Sequence, residues 1–265
     1  MSSPAAQAAA LLWQHRLAGT KLADLPAHLR PADADAGHAV QACLPAVSGR
    51  AVVGWKIAAT STAGQAHIGV GGPLAGRLLD GLVAADGASF SLAGNGMRVA
   101  EPEFVFLFGS DLPARARSYG LDEVLAAVAA LHTGIEVPDA RFADFVQAGE
   151  AQLLADDACA HQMVLGPAAV VDWRALDLSG HAVQATVDNG GAQRLLRDGS
   201  GAAVLGDPRL ALAWLVNDLR ARGIGLAAGQ FVTTGTCMPP LAIVPGDTLR
   251  ADFGVLGRVA ARFTA

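Results

Sequence analysis

Charge is scarce in this chain. Asp, Glu, Lys and Arg make up 16% of its 265 residues, against 52% hydrophobic. That balance excludes an extended, self-repelling disordered chain. It leaves enough apolar side chains for one large domain, or a core domain with a smaller helical part. A basic excess is also missing: the net charge is -5, which argues against a nucleic-acid partner. The three cysteines, Cys43, Cys159 and Cys237, are far apart and form no CxxC pair. Neither a cysteine zinc site nor a disulfide framework is suggested, and a reducing cytoplasm fits. The N-terminus (MSSPAAQAAALLWQHR) has no basic n-region, so no secretory signal is expected. Charge, Gly or Pro interrupts every apolar stretch before about 18 residues, so no membrane span is expected. No GxGxxG follows a strand and opens a helix, no GxxxxGK[ST] occurs, and no repeat or low-complexity linker is visible.

What is present divides unevenly. Ser3-Pro4 reads as a helix cap followed by proline at the first helical position, with the helix stopping near Gly19. A second helix is predicted from about Ala34 to Cys43. VVGWKIA (residues 52–58) reads as a short strand. Glycines alternate with short apolar runs between Gly69 and Gly96, suggesting turns between short strands. EFVFLFG (103–109) reads as a buried strand. LDEVLAAVAALHTG (121–134) reads as a helix, with Asp122 and Glu123 in its first turn and Gly134 past its end, before a strand opened by IEV (135–137). DPRLALAWLVNDLRARG (207–223) reads as an amphipathic helix. Further strands are predicted at HQMVLG, HAVQATVDNG, QFVTTG, TLRADFG and GRVAARF. Strands in runs favour an α+β layout over a doubly wound sheet.

Glu101 and Glu103 are two residues apart at the start of a strand, so both side chains share one face. Two carboxylates leading into a buried strand are costly unless a cation accompanies them. Hard oxygen ligands suit Mg2+, Mn2+ or Ca2+ better than zinc. Glu136 repeats the theme in a second apolar strand. An ExE pair taken alone fits two water-exposed strand-end glutamates better, because charged side chains are usually solvated. Pro102 supports that reading slightly, since proline avoids central ladder positions unless an edge or bulge accommodates it. Lys56 in VVGWKIA either snorkels to the surface or is held in a polar site. Asp80 in GRLLDG reads equally as a turn residue, Asp156-Asp157 as a solvated loop, and Thr236 as a turn hydroxyl.

Seven segments then carry a resemblance. GWKIAAT, GRLLDG, AEPEFVFLFGSDLP, GIEVPDAR, ADDACAHQMVLGP, VLGDPRLALAWLVNDL with AAGQFVTTGT, and PGDTLRADFGVLGRVAARF resemble the hydratase/decarboxylase branch of the fumarylacetoacetate hydrolase superfamily. They occur in the family's order over residues 50 to 265. The resemblance implies a mixed β-sheet roll or sandwich of the fumarylacetoacetate hydrolase C-terminal type with an N-terminal helical segment. On that division residues 1–75 hold the helices and first strand, and residues 76–265 form a β-rich catalytic domain. It implies Glu101, Glu103 and Glu136 as ligands of Mg2+ or Mn2+, and Lys56, Asp80 and Asp156 as catalytic residues. In that scheme Asp80 holds the charge and orientation of Lys56, and Asp156 or Asp157 positions a water. Asp157 and Thr236 map to substrate-binding positions. Departures are Ala59, Pro102, Asp157 and a TGTCMPP segment without the basic residue seen in some dicarboxylate-handling members.

The resemblance implies a lyase acting on an unsaturated 2-oxo acid or its enol, with hydration of 2-hydroxypenta-2,4-dienoate to 4-hydroxy-2-oxopentanoate as the leading reaction. The alternatives are 4-oxalocrotonate decarboxylase, a C–C hydrolase of acylpyruvate type, which a His-Glu pair in the N-terminal part would favour, and a non-catalytic partner subunit. The expected partners are the small-molecule substrate and further copies of the chain, with a hydratase–decarboxylase complex as a family possibility.

Overall fold

The computed structural model describes residues 2–265. Its helices are α1 (Pro4–Ala18), α2 (Ala34–Ala42), α3 (Leu44–Ser48), α4 (Thr62–Ile68), α5 (Leu121–Ala127), α6 (Glu150–Ala155) and α7 (Pro208–Ala221). Its strands are β1 (Val52–Ala58), β2 (Leu74–Leu79), β3 (Val83–Ala85), β4 (Ser89–Ser91), β5 (Val99–Phe108), β6 (Val128–Val137), β7 (Gln162–Ala168), β8 (Ala182–Asn189), β9 (Ala192–Ser200), β10 (Phe231–Thr236), β11 (Leu241–Ala242), β12 (Asp247–Asp252) and β13 (Arg258–Thr264). No described helix is long and apolar enough to cross a membrane.

The strands make two sheets. The larger runs β2-β1-β10-β5-β6-β7-β3, with β11 added to β5, and the smaller runs β4-β13-β12-β8-β9. Side chains alternate along a strand, so β5 is buried on both faces. Phe104, Phe106 and Phe108 join the main core with Val183, Val187, Leu249 and Phe263 of the smaller sheet. The Phe104 ring meets Phe253 edge-on at 5.2 Å, a favoured aromatic geometry. Val105, on the opposite face, packs with Leu78, Met163 and Phe231. Glu101 and Glu103 share that second face.

Local chemistry sets the helix ends. Ser3 Oγ accepts the Ala6 N–H at 3.2 Å, and Gly19 closes α1 with φ 63°. Asp33 Oδ1 accepts the Ala36 N–H at 2.8 Å to start α2, and Asp207 caps α7 ahead of Pro208. α1, α2 and the segment before α6 bury Ala8, Leu12, Val40 and Phe142 in a separate apolar cluster. β1 lies inside the larger sheet, and the boundary between residues 75 and 76 falls within β2.

Three readings of the sequence change. The helix expected over 121–134 ends at Ala127, and Val128 turns extended at φ -79° and ψ 127°. Alanine-rich sequence favours helix locally, but β6 is hydrogen-bonded between β5 and β7, and that pairing overrides the preference. α4, α6 and β9 were not expected. Pro102 sits in a central strand, because β10 shifts register between Thr233 and Thr236 opposite it. Its carbonyl faces that irregularity and accepts the Cys237 N–H at 3.0 Å, so the N–H that proline lacks falls where the ladder is already broken.

Candidate metal centre and substrate pocket

Glu101 and Glu136 are direct partners across β5 and β6, and Glu103 lies two pairs further on, opposite Gly134. Partners in register project to one face of a sheet. The three carboxylates therefore converge, each offering an oxygen within 4.8 Å of the others. Glu103 and Glu136 have no exposed surface and Glu101 is partly buried. Glu103 Oε2 accepts hydrogen bonds from Thr233 Oγ1 and from the Gly235 N–H at 2.7 Å. Glu103 Oε1 and Glu136 Oε2 are buried without a hydrogen-bond partner.

Three crowded carboxylates resist ionisation. Burial first, then Glu136, pushes Glu101 up to about 7, with Lys56 pulling the other way. Burial raises Glu103 well above the carboxylate range, and Glu136 and Glu101 add to it. Burial also raises Glu136, against the pull of Lys56. Three carboxylates and one ammonium leave two negative charges, which one divalent cation neutralises. The orphaned oxygens and the all-oxygen donor set fit a hard divalent ion.

Lys56 stands between Thr233 on β10 and Gly76 on β2, and is 3% exposed. Its Nζ lies 3.1 Å from Glu136 Oε1 and donates to the Ala158 carbonyl at 3.0 Å. Burial pulls its pKa down, but Glu136 and Glu101, with smaller help from Cys159 and Glu103, more than reverse this, and the net shift is upward. Lys56 is thus a charged donor.

The Ala158 carbonyl reaches Lys56 through an uncommon turn. Asp157, Ala158 and Cys159 have φ of 58°, 51° and 61°, left-handed values that cost a non-glycine residue roughly 1–2 kcal/mol each. Surrounding contacts hold them there. Asp157 Oδ1 accepts the Arg77 N–H at 2.6 Å, and the Ala160 N–H bonds the Asp157 carbonyl at 3.0 Å. A Cβ at Gly76 would come within 2.4 Å of that carbonyl oxygen. The Arg141 backbone N–H donates to Asp156 Oδ2 at 2.7 Å, and its guanidinium pairs with Oδ1.

The structure corrects two catalytic expectations. Asp80 is exposed, and its N–H bonds the Ala51 carbonyl at the far end of β1. It stands four residues beyond Gly76, the partner of Lys56, or about 13 Å along the strand. Glu136, not Asp80, balances Lys56. Asp156 is not a solvated loop residue; it is 1% exposed and committed to Arg141. Asp156 and Asp157 line a small space beneath α1 with Arg16 and Arg141, not the pocket beside the glutamates. Burial pushes Asp157 up to about 7, against its hydrogen bond from Arg77. Thr236 does line that pocket, where its hydroxyl donates to the Met238 carbonyl at 2.6 Å. Sequence reasoning missed Thr233, Gly235, Arg141 and Cys159. Thr233 was readable as a strand residue but not as a donor to Glu103, because that contact crosses 130 positions. Cys159 lines the pocket, and burial, with Asp156, pushes its thiol up to about 12, so it stays protonated.

Glu101 and Lys56 open onto a cavity of about 670 Å3. Its walls come from α4, β2, α6, the segment around Phe145, and the loop Thr236–Pro240.

The family model described as fumarylacetoacetate (FAA) hydrolase C-terminal matches residues 82–264. A 2-keto-4-pentenoate hydratase of Burkholderia vietnamiensis is 32% identical over 262 residues, covering 98% of this chain and 97% of that protein. A 4-oxalocrotonate decarboxylase of a Pseudomonas species is 30% identical over 81% of this chain and 78% of that protein. The solved 4-oxalocrotonate decarboxylase from Pseudomonas putida G7, complexed with magnesium and adipate, superimposes with a TM-score of 0.84 at 26% identity, covering 98% of this chain and 97% of that one. The same decarboxylase is known with calcium and acetate. The chain belongs to the fumarylacetoacetate hydrolase C-terminal family.

Proposed function

We propose that this member of the family is a lyase dependent on Mg2+ or Mn2+, which hydrates 2-hydroxypenta-2,4-dienoate to 4-hydroxy-2-oxopentanoate. The observation that carries the reading is the convergence of Glu101, Glu103 and Glu136 beside a charged, buried Lys56 at the wall of a large cavity. Relatives named as hydratases support the reaction. When bound, the ion supplies Lewis-acid stabilisation of negative charge on the substrate's 2-oxygen.

The chain's own residues supply the rest. The three glutamates hold the ion. In this reading Lys56 donates a hydrogen bond to the developing enolate and carries the proton that moves between oxygen and carbon. The Ala158 carbonyl and Glu136 fix the direction of its Nζ. The reaction balances as follows: the enol O–H proton leaves, C5 gains a proton, the hydroxyl of water goes to C4, and its remaining proton goes to C3. Decarboxylation of 4-oxalocrotonate is the second reading, favoured by the extent of the likeness to the solved decarboxylase. A cytoplasmic homo-oligomer, alone or with a decarboxylase partner, belongs to the same proposal.

The test is to purify the chain and assay both substrates after chelation and after re-addition of Mg2+ or Mn2+. Hydration of the pentadienoate only with metal present is expected. Undiminished activity in the chelated enzyme would sink the metal-dependent reading, and release of CO2 from 4-oxalocrotonate without hydration of the dienoate would select the second one.

A further inference from the structure

The cavity beside the glutamates is far larger than a five-carbon acid needs. At about 670 Å3 it has the size of pockets that enclose a drug-sized ligand, about 300–1,000 Å3. One wall is continuous and apolar. Ile68 of α4, Leu74 of β2, Leu153 of α6, Phe145 and Ala158 pack against one another and all line the cavity.

Positive charge is nearly missing from the lining. Among the described residues it contains one Lys or Arg, Lys56, whose ammonium is already paired with Glu136. His67 is exposed, and its ring stands edge-on to Phe145 at 6.1 Å. The other charged lining residue besides Glu101 is Asp198, which repels an anion. A second carboxylate on a substrate would therefore leave water against Ile, Leu and Phe with no cation to meet it, which is costly. An alkyl or aryl group there would bury apolar surface and is favoured.

We infer that the preferred substrate is a monocarboxylic 2-hydroxy-2,4-dienoate whose terminal carbon, C5, carries an uncharged apolar substituent seated on the Ile68–Leu74–Phe145–Leu153 wall. The inference rests on the enolate reading of the glutamate site. It adds the chemistry of the tail, which takes no part in bond making or breaking.

The experiment is a specificity series with the Mg2+-loaded enzyme. The dienoates compared carry at C5 hydrogen, butyl, phenyl, or an alkyl chain of matched length ending in a carboxylate. The expected result is a kcat/KM for the butyl and phenyl acids at least about ten-fold above the carboxylate-tipped acid and not below the unsubstituted one, since apolar pockets discriminate on that scale. A carboxylate-tipped acid that matches or exceeds them overturns the inference and leaves the hydratase reading intact. So does an unsubstituted acid preferred ten-fold over both. Turnover of none of the four sinks the hydratase reading and this inference with it. Phe145→Ala should cut kcat/KM for the phenyl acid at least ten-fold more than for the unsubstituted acid; equal losses remove the tail from this wall.

Discussion

Lys56 Nζ stands 3.1 Å from Glu136 Oε1, with both side chains inside the protein. Removing one partner of a buried ion pair leaves the other's charge uncompensated, typically at about 3–5 kcal/mol. Lys56→Met should therefore destabilise the metal-free protein, with partial recovery on adding Mg2+, as the ion takes over neutralisation. It should also lower kcat by roughly 10²–10⁴-fold, the usual scale for a proton-transferring group. Denaturant melts with and without Mg2+, alongside steady-state kinetics, check both effects. A variant with wild-type kcat removes Lys56 from the chemistry.

Metal binding should be visible without any substrate. An ion that binds only the folded state at one hundred times its dissociation constant adds about 2.7 kcal/mol. For a chain of this size that is roughly 5–10 °C in melting temperature. Glu101→Gln and Glu136→Gln each remove a ligand charge and should abolish most of the Mg2+-dependent rise; in the metal-free protein Glu101→Gln relieves crowding among the carboxylates, whereas Glu136→Gln also leaves Lys56 without its carboxylate partner. A full rise in both variants would contradict the assignment.

Thr233 tests the support behind a ligand. Its hydroxyl and the Gly235 N–H both donate to Glu103 Oε2. Thr233→Val keeps the shape and removes one donor. Loss of such support typically costs about 10–100-fold in metal affinity. Titration with Mn2+ should show that loss, with kcat largely restored at saturating metal. Unchanged Mn2+ affinity would mean that Gly235 alone suffices.

Much of this site was legible in the chain, and what was hidden has a common cause. The composition of VVGWKIA marked the strand that carries Lys56, and the two-residue spacing put Glu101 and Glu103 on one face; the role of Lys56 in the site came from the resemblance. Those are local properties. The position of Glu136 opposite Glu101 depends on the β5–β6 register, and no local pattern encodes it. The same non-local pairing turned the expected helix after Ala127 into β6. The resemblance coupled Asp80 to Lys56, but antiparallel β2 carries Asp80 to the opposite end of β1. Asp156 and Asp157 read as solvated because charged residues usually are. Their burial follows from Arg141 and Arg77, which arrive from other segments.

Gly76 shows how tightly the left-handed turn is packed. A Cβ there would meet the Asp157 carbonyl at 2.4 Å and Lys56 Cγ at 3.0 Å. Gly76→Ala should cost about 1–3 kcal/mol, as overpacking generally does, and should lower kcat by shifting the turn that brings the neighbouring Ala158 carbonyl to Lys56. Gly71, with no neighbour within 4 Å of an added Cβ, supplies the control. Gly71→Ala should be near neutral in a denaturant melt, and equal effects at the two positions would remove the packing argument.

His161 makes the fold sensitive to acid. Burial, then Arg16, Arg141 and Lys21, press its imidazole from the usual 6.5 down to about 2. Its Nδ1 is buried without a partner, and its carbonyl accepts from Arg16 Nη2 at 2.8 Å. Between about pH 2 and 6.5 the unfolded chain thus binds a proton at this residue that the folded chain refuses. Stability from a neutral His161 is complete above 6.5 and falls as pH drops through that window, by at most about 1.4 kcal/mol per pH unit. Asp157 works in the opposite direction, because its raised pKa lets the folded state take up a proton before the unfolded one does. Glu101, Glu103, Glu136 and Asp156, also raised by burial, act in the same direction as Asp157, so the net slope of the wild type is a difference between the histidine and these carboxylates. Comparing wild type with His161→Gln isolates the histidine. Relative to wild type, the variant should gain stability steadily in denaturant melts as pH is lowered from 7.5 to 5. Parallel curves over that range would mean that the imidazole is free to take a proton in the folded protein.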